Sequence, residues 1–401
     1  MVYLCTLVAL LLCSWLYDCR RTLPLRNACF RVLCAVLTLM AALRFRVGMD
    51  SIAYESLYQS LPSLGSLSLS DFAASRFEPG WLLLCALLRS TSPEFLLLQL
   101  VHAVFVNWAV CRFIRRSSSH PFIALSLYFL ILFIPLSTEI LRQSVAIAIF
   151  LTAWPLLRDR HFTAFSILIL IASTFHISAL PLLLLPAIAL PGLRRLFMPG
   201  PWTALPLSLS IAGGLLFFHF LPEILEALAP HIRRADAYAR LPQSLALLNW
   251  KGMLLAFLKS AAIPLLALWM LRDSRNAGTS RRFGFSLWSM SLLYCCAALF
   301  ALPCVAAMRM SLYLLPFAFP LVADAALCNG LRHHIRIART PAAALLSLIW
   351  IMPNLYSYYI PVGAGTPFRT YMAYYPYIHI LNPQELPQRE AMASFCMDTT
   401  E

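Results

Sequence analysis

EFLLLQLVHAVFVNWAVCRFIRR, residues 94–116, is an almost uncharged apolar run that ends in a bare arginine cluster, Arg112, Arg115 and Arg116. A helix needs about 20 apolar residues to cross the hydrocarbon layer of a membrane, with roughly 17 to 25 the usual range. The stretch reads as a transmembrane span, and the pattern recurs in both directions. Runs centred in 1–17, 30–45, 94–113, 121–137, 139–157, 162–176, 177–192, 202–221, 249–271, 284–302, 309–328 and 342–360 predict an all-α polytopic membrane protein of about twelve spans.

Composition supports the same class. Of 401 residues, 61% are hydrophobic and 12% charged, and the mean hydropathy is +0.76. That leaves too little polar surface to coat a water-soluble globule. The net charge of +14 would point to nucleic acid in a soluble protein. Here eighteen of the 31 basic residues fall in six clusters: Arg20/Arg21/Arg26/Arg31, Arg112/Arg115/Arg116, Arg158/Arg160, Arg194/Arg195, Arg272/Arg275/Arg281/Arg282 and Arg332/Arg336/Arg339. This is the pattern of cytoplasmic loops, so no nucleic-acid partner is expected. The cysteines lie mostly in or beside apolar runs, with no Cys-x-x-Cys pair, and read as small buried hydrophobes. Met1–Tyr17 lacks a basic leader and reads as a retained span.

With the clusters inside, both termini lie outside. Trp81–Leu88 is apolar but too short to cross, so Glu78–Ser90, and the region 79–90 in particular, is expected to form a helix on or dipping into the outer leaflet. The domain reading is a single transmembrane body over 1–360, with outer loops 46–93 and 222–248, followed by an outer tail over 361–401 rich in Tyr and Pro. No internal repeat is evident.

A second set of polar residues falls at the opposite ends of the apolar runs. In Arg46-Val-Gly48-Met-Asp50-x-x-x-Tyr54, the glycine permits a tight exit from a helix, and Arg and Asp four apart can meet on one turn. These are a snorkelling arginine with Asp50 as a helix cap, or an arginine gripping an anion beside a base. Glu78-Pro79-Gly80 puts proline at a first helical position, with Glu78 either a cap or the partner of Asp50 in acid–base work. Glu139-Ile-Leu-Arg142-Gln143 places a costly charge in a span, either paired locally with Glu139 or holding a diphosphate oxygen. Phe175-His176-Ile-Ser178-Ala179 offers an interfacial histidine or a base, and Arg309-x-x-x-Tyr313-x-x-Pro316 a further arginine at the outer boundary. Several arginines converging on one cavity would favour a phosphate-bearing ligand. There is no glycine-rich phosphate loop, His-x-x-x-His metal pair or serine nucleophile elbow, which disfavours nucleotide hydrolysis and metalloproteolysis.

In this order and spacing, Arg46-x-Gly48-x-Asp50-x-x-x-Tyr54, Glu78-Pro79-Gly80, Leu141-Arg142-Gln143-x-x-Ala146, Phe175-His176-x-Ser178-Ala179 and Arg309-x-x-x-Tyr313-x-x-Pro316 resemble the EpsG family of bacterial exopolysaccharide proteins, over about residues 44–320. That family is similar in turn to the Wzy-type repeat-unit polymerases. The resemblance implies a GT-C/Wzy-like membrane glycosyltransferase of the bacterial inner membrane. It would polymerise oligosaccharide repeat units carried on undecaprenyl diphosphate at the periplasmic face, in exopolysaccharide, capsule or O-antigen synthesis, with no metal, cofactor or nucleotide sugar. Its partners would be the lipid-linked oligosaccharide and the bilayer, with a chain-length regulator and a flippase as companion candidates. On this reading Arg142, Arg309 and Arg46 hold the donor diphosphate, His176, Asp50 or Glu78 is the base, and Tyr54, Gln143 and Tyr313 contact substrate. A lipid-linked oligosaccharide flippase and a glycan acyltransferase are the alternatives.

Overall fold

The computed structural model describes residues 1–20, 24–75, 77–221, 223–224, 249–272, 285–303, 307–327, 339–362 and 366–398. Most of the expected outer loop 222–248 falls outside these residues, as do Arg21, Arg275, Arg281, Arg282, Arg332, Arg336 and Cys304. Among the described residues every regular element is helical, and the only strand-like pairings are two isolated bridges, Arg44 with His379 and Pro361 with Arg369.

The chain divides into two compact units, one of Met1–Leu183 with Asn354–Glu401 and one of Leu184–Pro353. The residues read as an outer tail belong to the first unit. That unit runs through α1 (Val2–Cys19, closing in a π-helical turn), α2 (Arg26–Ala42), α3 (Ser51–Ser60), α4 (Leu69–Ala74), α5 (Pro79–Thr91), α6 (Phe95–Ser117), α7 (Pro121–Thr138, with a π-helical turn at Phe129–Phe133), α8 (Leu141–Arg158) and α9 (Phe162–Phe175).

The quoted stretch 94–116 forms α6, and its apolar residues divide between two faces. Leu98, Ala103, Val106, Val110 and Ile114 are buried against α2 and α8, whereas Val104 and Trp108 face outward. Inside a membrane the outward residues meet lipid at no cost, so no polar stripe is needed. Polar contacts fix the register of the buried seam: His102 Nε2 meets Ser144 Oγ at 2.6 Å near one end, and Phe113 stacks edge-on to Trp154 near the other, so α6 and α8 run parallel. The beginning of α7 is closed from a distance. Pro121 supplies a first residue without an N–H, and Asp18 at the end of α1 accepts the N–H groups of Phe122 and Ile123 at 2.8 and 2.9 Å. Arg26 then pairs with Asp18 at 3.4 Å.

The elements α1, α2, α6, α7, α8 and α9 therefore expose two ends. One carries Asp18, Arg26, Arg31, Arg112, Arg115, Arg116 and Arg158. The other carries Tyr3, Leu43–Asp50, Thr138–Arg142 and Phe175–His176, together with residues 366–398.

The second unit contains α10 (Pro191–Leu196), α11 (Ala204–His219), α12 (Trp250–Ser260), α13 (Ala262–Met270), α14 (Leu287–Phe300), α15 (Met308–Ser311), α16 (Leu315–Ala326) and most of α17 (Arg339–Tyr356). Its buried polar side chains bond to helix carbonyls. Trp288 Nε1 donates to Leu268 O at 3.1 Å, Ser291 Oγ to Phe317 O at 3.0 Å and Tyr294 OH to Ser260 O at 3.0 Å. Each such bond in an apolar setting contributes about 1 kcal/mol net.

Four described helices are long and apolar enough to cross a membrane, Val2–Cys19, Phe95–Ser117, Pro121–Thr138 and Pro201–His219, or up to five if the bent pair α12 and α13 is one span. This is compatible with a membrane protein and falls short of the twelve runs counted in sequence. Prolines and short elements account for much of the difference. The run 177–192, expected as a span, begins as a 3-10 helix, Ile177–Ala189, in which Pro181 and Pro186 cannot donate the bonds an α-helix needs. The helix expected over 79–90 forms as α5, and one final helix, α18 (Pro387–Asp398), lies within the tail.

Candidate functional site

The loop leaving α2 turns sharply because Arg46 and Gly48 take positive φ values, 46° and 110°. Glycine is required at the second position for a further reason. A Cβ there would lie 2.6 Å from Thr138 Cβ and 3.0 Å from Glu139 Oε1. The loop is pressed onto the joint between α7 and α8, where Glu139 Oε1 accepts the Met49 N–H at 2.8 Å.

The tail pins the loop from its other side. Phe45 N–H donates to Ile378 O, Gly48 N–H to Ala373 O and Ile380 N–H to Leu43 O, each at 2.9 Å. Arg389 is 3% exposed and donates to Pro376 O at 2.8 Å and Arg46 O at 3.1 Å. Arg46 itself reaches three carboxylates: Glu55 at 3.0 Å, Glu385 at 2.7 Å and Glu390 at 3.0 Å. Two of these carboxylates, Glu385 and Glu390, tie Arg46 to the tail.

Glu78 occupies the N-cap position of α5 but makes no capping bond there. Its Oε2 pairs with Arg142 Nη1, and its Oε1 accepts the Ile177 N–H at 3.4 Å. The local pairing of Arg142 with Glu139 does not form, because Glu139 is turned toward Met49 and Arg142 toward a carboxylate 64 residues earlier in the chain. Gly80 brings α5 close enough for this. A Cβ on it would collide with Thr174 Oγ1 and stand 2.8 Å from Thr174 O, so α5 and the end of α9 meet backbone to backbone.

Arg142 is further hydrogen-bonded to Tyr54 and lies with its guanidinium 4.7 Å from the centre of the Phe77 ring. Its Nε is buried with no hydrogen-bond partner. Tyr54 is buried against Trp81, with ring centres 5.6 Å apart. Burial raises the Tyr54 phenol, and Arg142 partly offsets this, so Tyr54 stays protonated as a donor.

His176 follows α9 in an extended conformation. Its Nδ1 accepts from the Ser178 N–H at 3.3 Å and lies 2.5 Å from Ser178 Oγ. With Nδ1 accepting, the neutral ring carries its proton on Nε2. Ser178 thus explains the Phe-His-x-Ser pattern as a fixed tautomer.

Asp50 is the N-cap residue of α3, yet its side chain makes no capping bond and is exposed. It lies within electrostatic range of Glu139 and Tyr54. Burial, and secondarily the Asp50 charge, push the Glu139 carboxyl above the usual carboxylate range. Tyr374 from the tail bonds to Glu139, and its phenol is raised by burial and then by that carboxylate. Gln143 is buried on α8, 1% exposed.

In the first unit Arg142 thus meets Tyr54 and Glu78, Glu78 reaches the N–H of Ile177 next to His176, and Asp50 lies within electrostatic range of Tyr54. Arg309 and Tyr313 belong to the second unit, where Arg309 is exposed and Tyr313 is buried. Sequence reasoning missed Phe77, Glu139 as a loop anchor, and Tyr374, Glu385, Arg389 and Glu390. The tyrosine-rich tail was a signal that pointed to no partner.

Residues 27–379 match the EpsG family, nearly the whole chain, and the protein belongs to that family. No curated protein and no solved structure matches it. The matched range runs past the resemblance read at 44–320 and takes in Ala373 and Ile378 of the tail, which accept the N–H groups of Gly48 and Phe45.

Proposed function

We propose that the protein is a membrane glycosyltransferase that polymerises oligosaccharide repeat units carried on undecaprenyl diphosphate, at the periplasmic face of the bacterial inner membrane. The observation that carries this reading is the pairing of Arg142 with Glu78, whose Oε1 also accepts the N–H of Ile177 next to His176, in a chain of the EpsG family. Arg142 has an Nε donor without a hydrogen-bond partner, and its planar fork suits diphosphate oxygens better than a lysine would, with Glu78 giving way as the diphosphate arrives.

In the reaction, the bond from the anomeric carbon to the diphosphate breaks while an acceptor hydroxyl forms the new glycosidic bond. Arg142 stabilises the charge that develops on the departing diphosphate, and His176 Nε2–H donates to one of its oxygens. Asp50, exposed and unused as a cap, takes the hydroxyl proton, with Glu139 as its carboxylate neighbour. Tyr54 holds Arg142 in place.

Cells lacking the chromosomal copy and carrying Arg142→Ala or His176→Ala should make single lipid-linked units and no long polymer, with the protein still inserted in the membrane. Polymer of normal length from both variants contradicts the reading. Repeat units stranded on the cytoplasmic face would indicate a flippase instead.

A further inference from the structure

The first unit carries a second concentration of positive charge at the end opposite Glu78 and Arg142. Arg31 on α2 and Arg112, Arg115 and Arg116 on α6 open onto a cleft of about 700 Å3 between the two helices. The three α6 arginines stand at spacings of three and four and so share one face. All four are exposed, and no carboxylate of the described residues pairs with any of them. Neighbouring arginines at the same end are paired, Arg26 with Asp18 and Arg158 with Asp159. A count of loop arginines accounts for membrane orientation, but it does not require four of them to converge from two helices on one cleft.

The cleft's remaining wall is mostly apolar, with Thr38 and Asn107 as its polar residues. Val104 and Trp108 are 56% and 47% exposed on the outward face of α6, and the Arg112 guanidinium lies 5.1 Å from the centre of the Trp108 ring. A cationic rim above an apolar wall matches an amphiphile with an anionic head. A soluble anion would leave Val104 and Trp108 unused, and a zwitterionic lipid would leave the arginine charge uncompensated.

We propose that this cleft binds an anionic phospholipid, with its phosphate held between Arg31 and the α6 arginines and an acyl chain lying along Val104 and Trp108. The site is independent of the reading given for Arg142. Trp108 provides a reporter. The full chain in phosphatidylcholine nanodiscs would be titrated with phosphatidylglycerol or phosphatidylcholine brominated on the acyl chain, and the Trp108 contribution isolated by difference from Trp108→Phe.

Brominated phosphatidylglycerol should quench at a mole fraction lower by about fivefold for each arginine engaged. Arg112→Gln with Arg115→Gln should remove the preference, and inorganic phosphate should not displace the lipid. Equal quenching by the two lipids in the wild-type protein overturns the proposal, as does displacement by inorganic phosphate, which would mark a free-anion site. The wild-type comparison decides even where the double variant fails to insert.

Discussion

The two ends of the first unit handle charge in opposite ways. At the end formed by Leu43–Asp50, Thr138–Arg142, His176 and the tail, charged groups are met by partners from distant sequence: Arg142 by Glu78, Arg46 by Glu385 and Glu390, Arg389 by backbone carbonyls. At the other end Arg31, Arg112, Arg115 and Arg116 meet no carboxylate of the described residues, and the ion pairs there are Arg26 with the packed Asp18 and Arg158 with its neighbour Asp159. Exposed arginines at a membrane boundary cost little because their heads reach water. Half-buried ones need fixed partners, and a surface that holds partners in place can also bring reacting groups together.

Substitutions should reproduce this contrast. The largest effect is expected from Arg142→Ala, which removes a positioned cation and leaves the Glu78 carboxylate without its partner. Polymer formation should fall by at least about 100-fold, as for loss of a preorganised charge-stabilising donor, when membranes are assayed for chain extension. Next comes Gly48→Ala, which combines an unfavourable φ with a collision against Thr138. Overpacking of this kind costs about 1–3 kcal/mol and should lower the melting temperature in detergent.

Arg389→Ala should loosen the tail with a cost of about 1–3 kcal/mol, as carbonyls lose their donor. The check is hydrogen exchange over residues 366–398, which should speed up while exchange in α6 stays unchanged. Ser178→Ala should lower polymerisation by about fivefold, the worth of one hydrogen bond holding the imidazole, with Ser178→Thr restoring most of it. Smallest of all, Arg115→Gln at the unpaired end should change stability in detergent by no more than about 0.5 kcal/mol. A large effect there would erase the difference between the ends.

Sequence made the broad features legible. The apolar length of 94–116 gave α6, and Pro79 gave the start of α5. Of the motif residues, Tyr54 and Glu78 meet Arg142, and Glu78 accepts the N–H of Ile177 next to His176. What stayed hidden depends on contacts between distant segments. Local spacing paired Arg142 with Glu139, but the close approach of Gly80 to Thr174 places Glu78 nearer, and nothing local to either position encodes that approach. Glycine at 48 was read as a permissive turn, while its tighter constraint comes from Thr138, ninety residues away. The run 177–192 is as apolar as its neighbours, so composition could not separate a 3-10 helix from a span. The tail has no periodic pattern, since its hold on the loop runs through backbone bonds and Arg389.

The central claim is that Arg142, held by Glu78 and Tyr54, receives the diphosphate of a lipid carrier. It is tested most directly by equilibrium binding of undecaprenyl diphosphate to the purified protein in nanodiscs, comparing wild type with Arg142→Ala and Arg46→Gln. The account predicts that Arg142→Ala weakens binding by about 10-fold or more, as expected for loss of a charge-assisted bidentate contact, while Arg46→Gln changes it less than threefold. Unchanged affinity in Arg142→Ala, or a larger loss from Arg46→Gln, would contradict it.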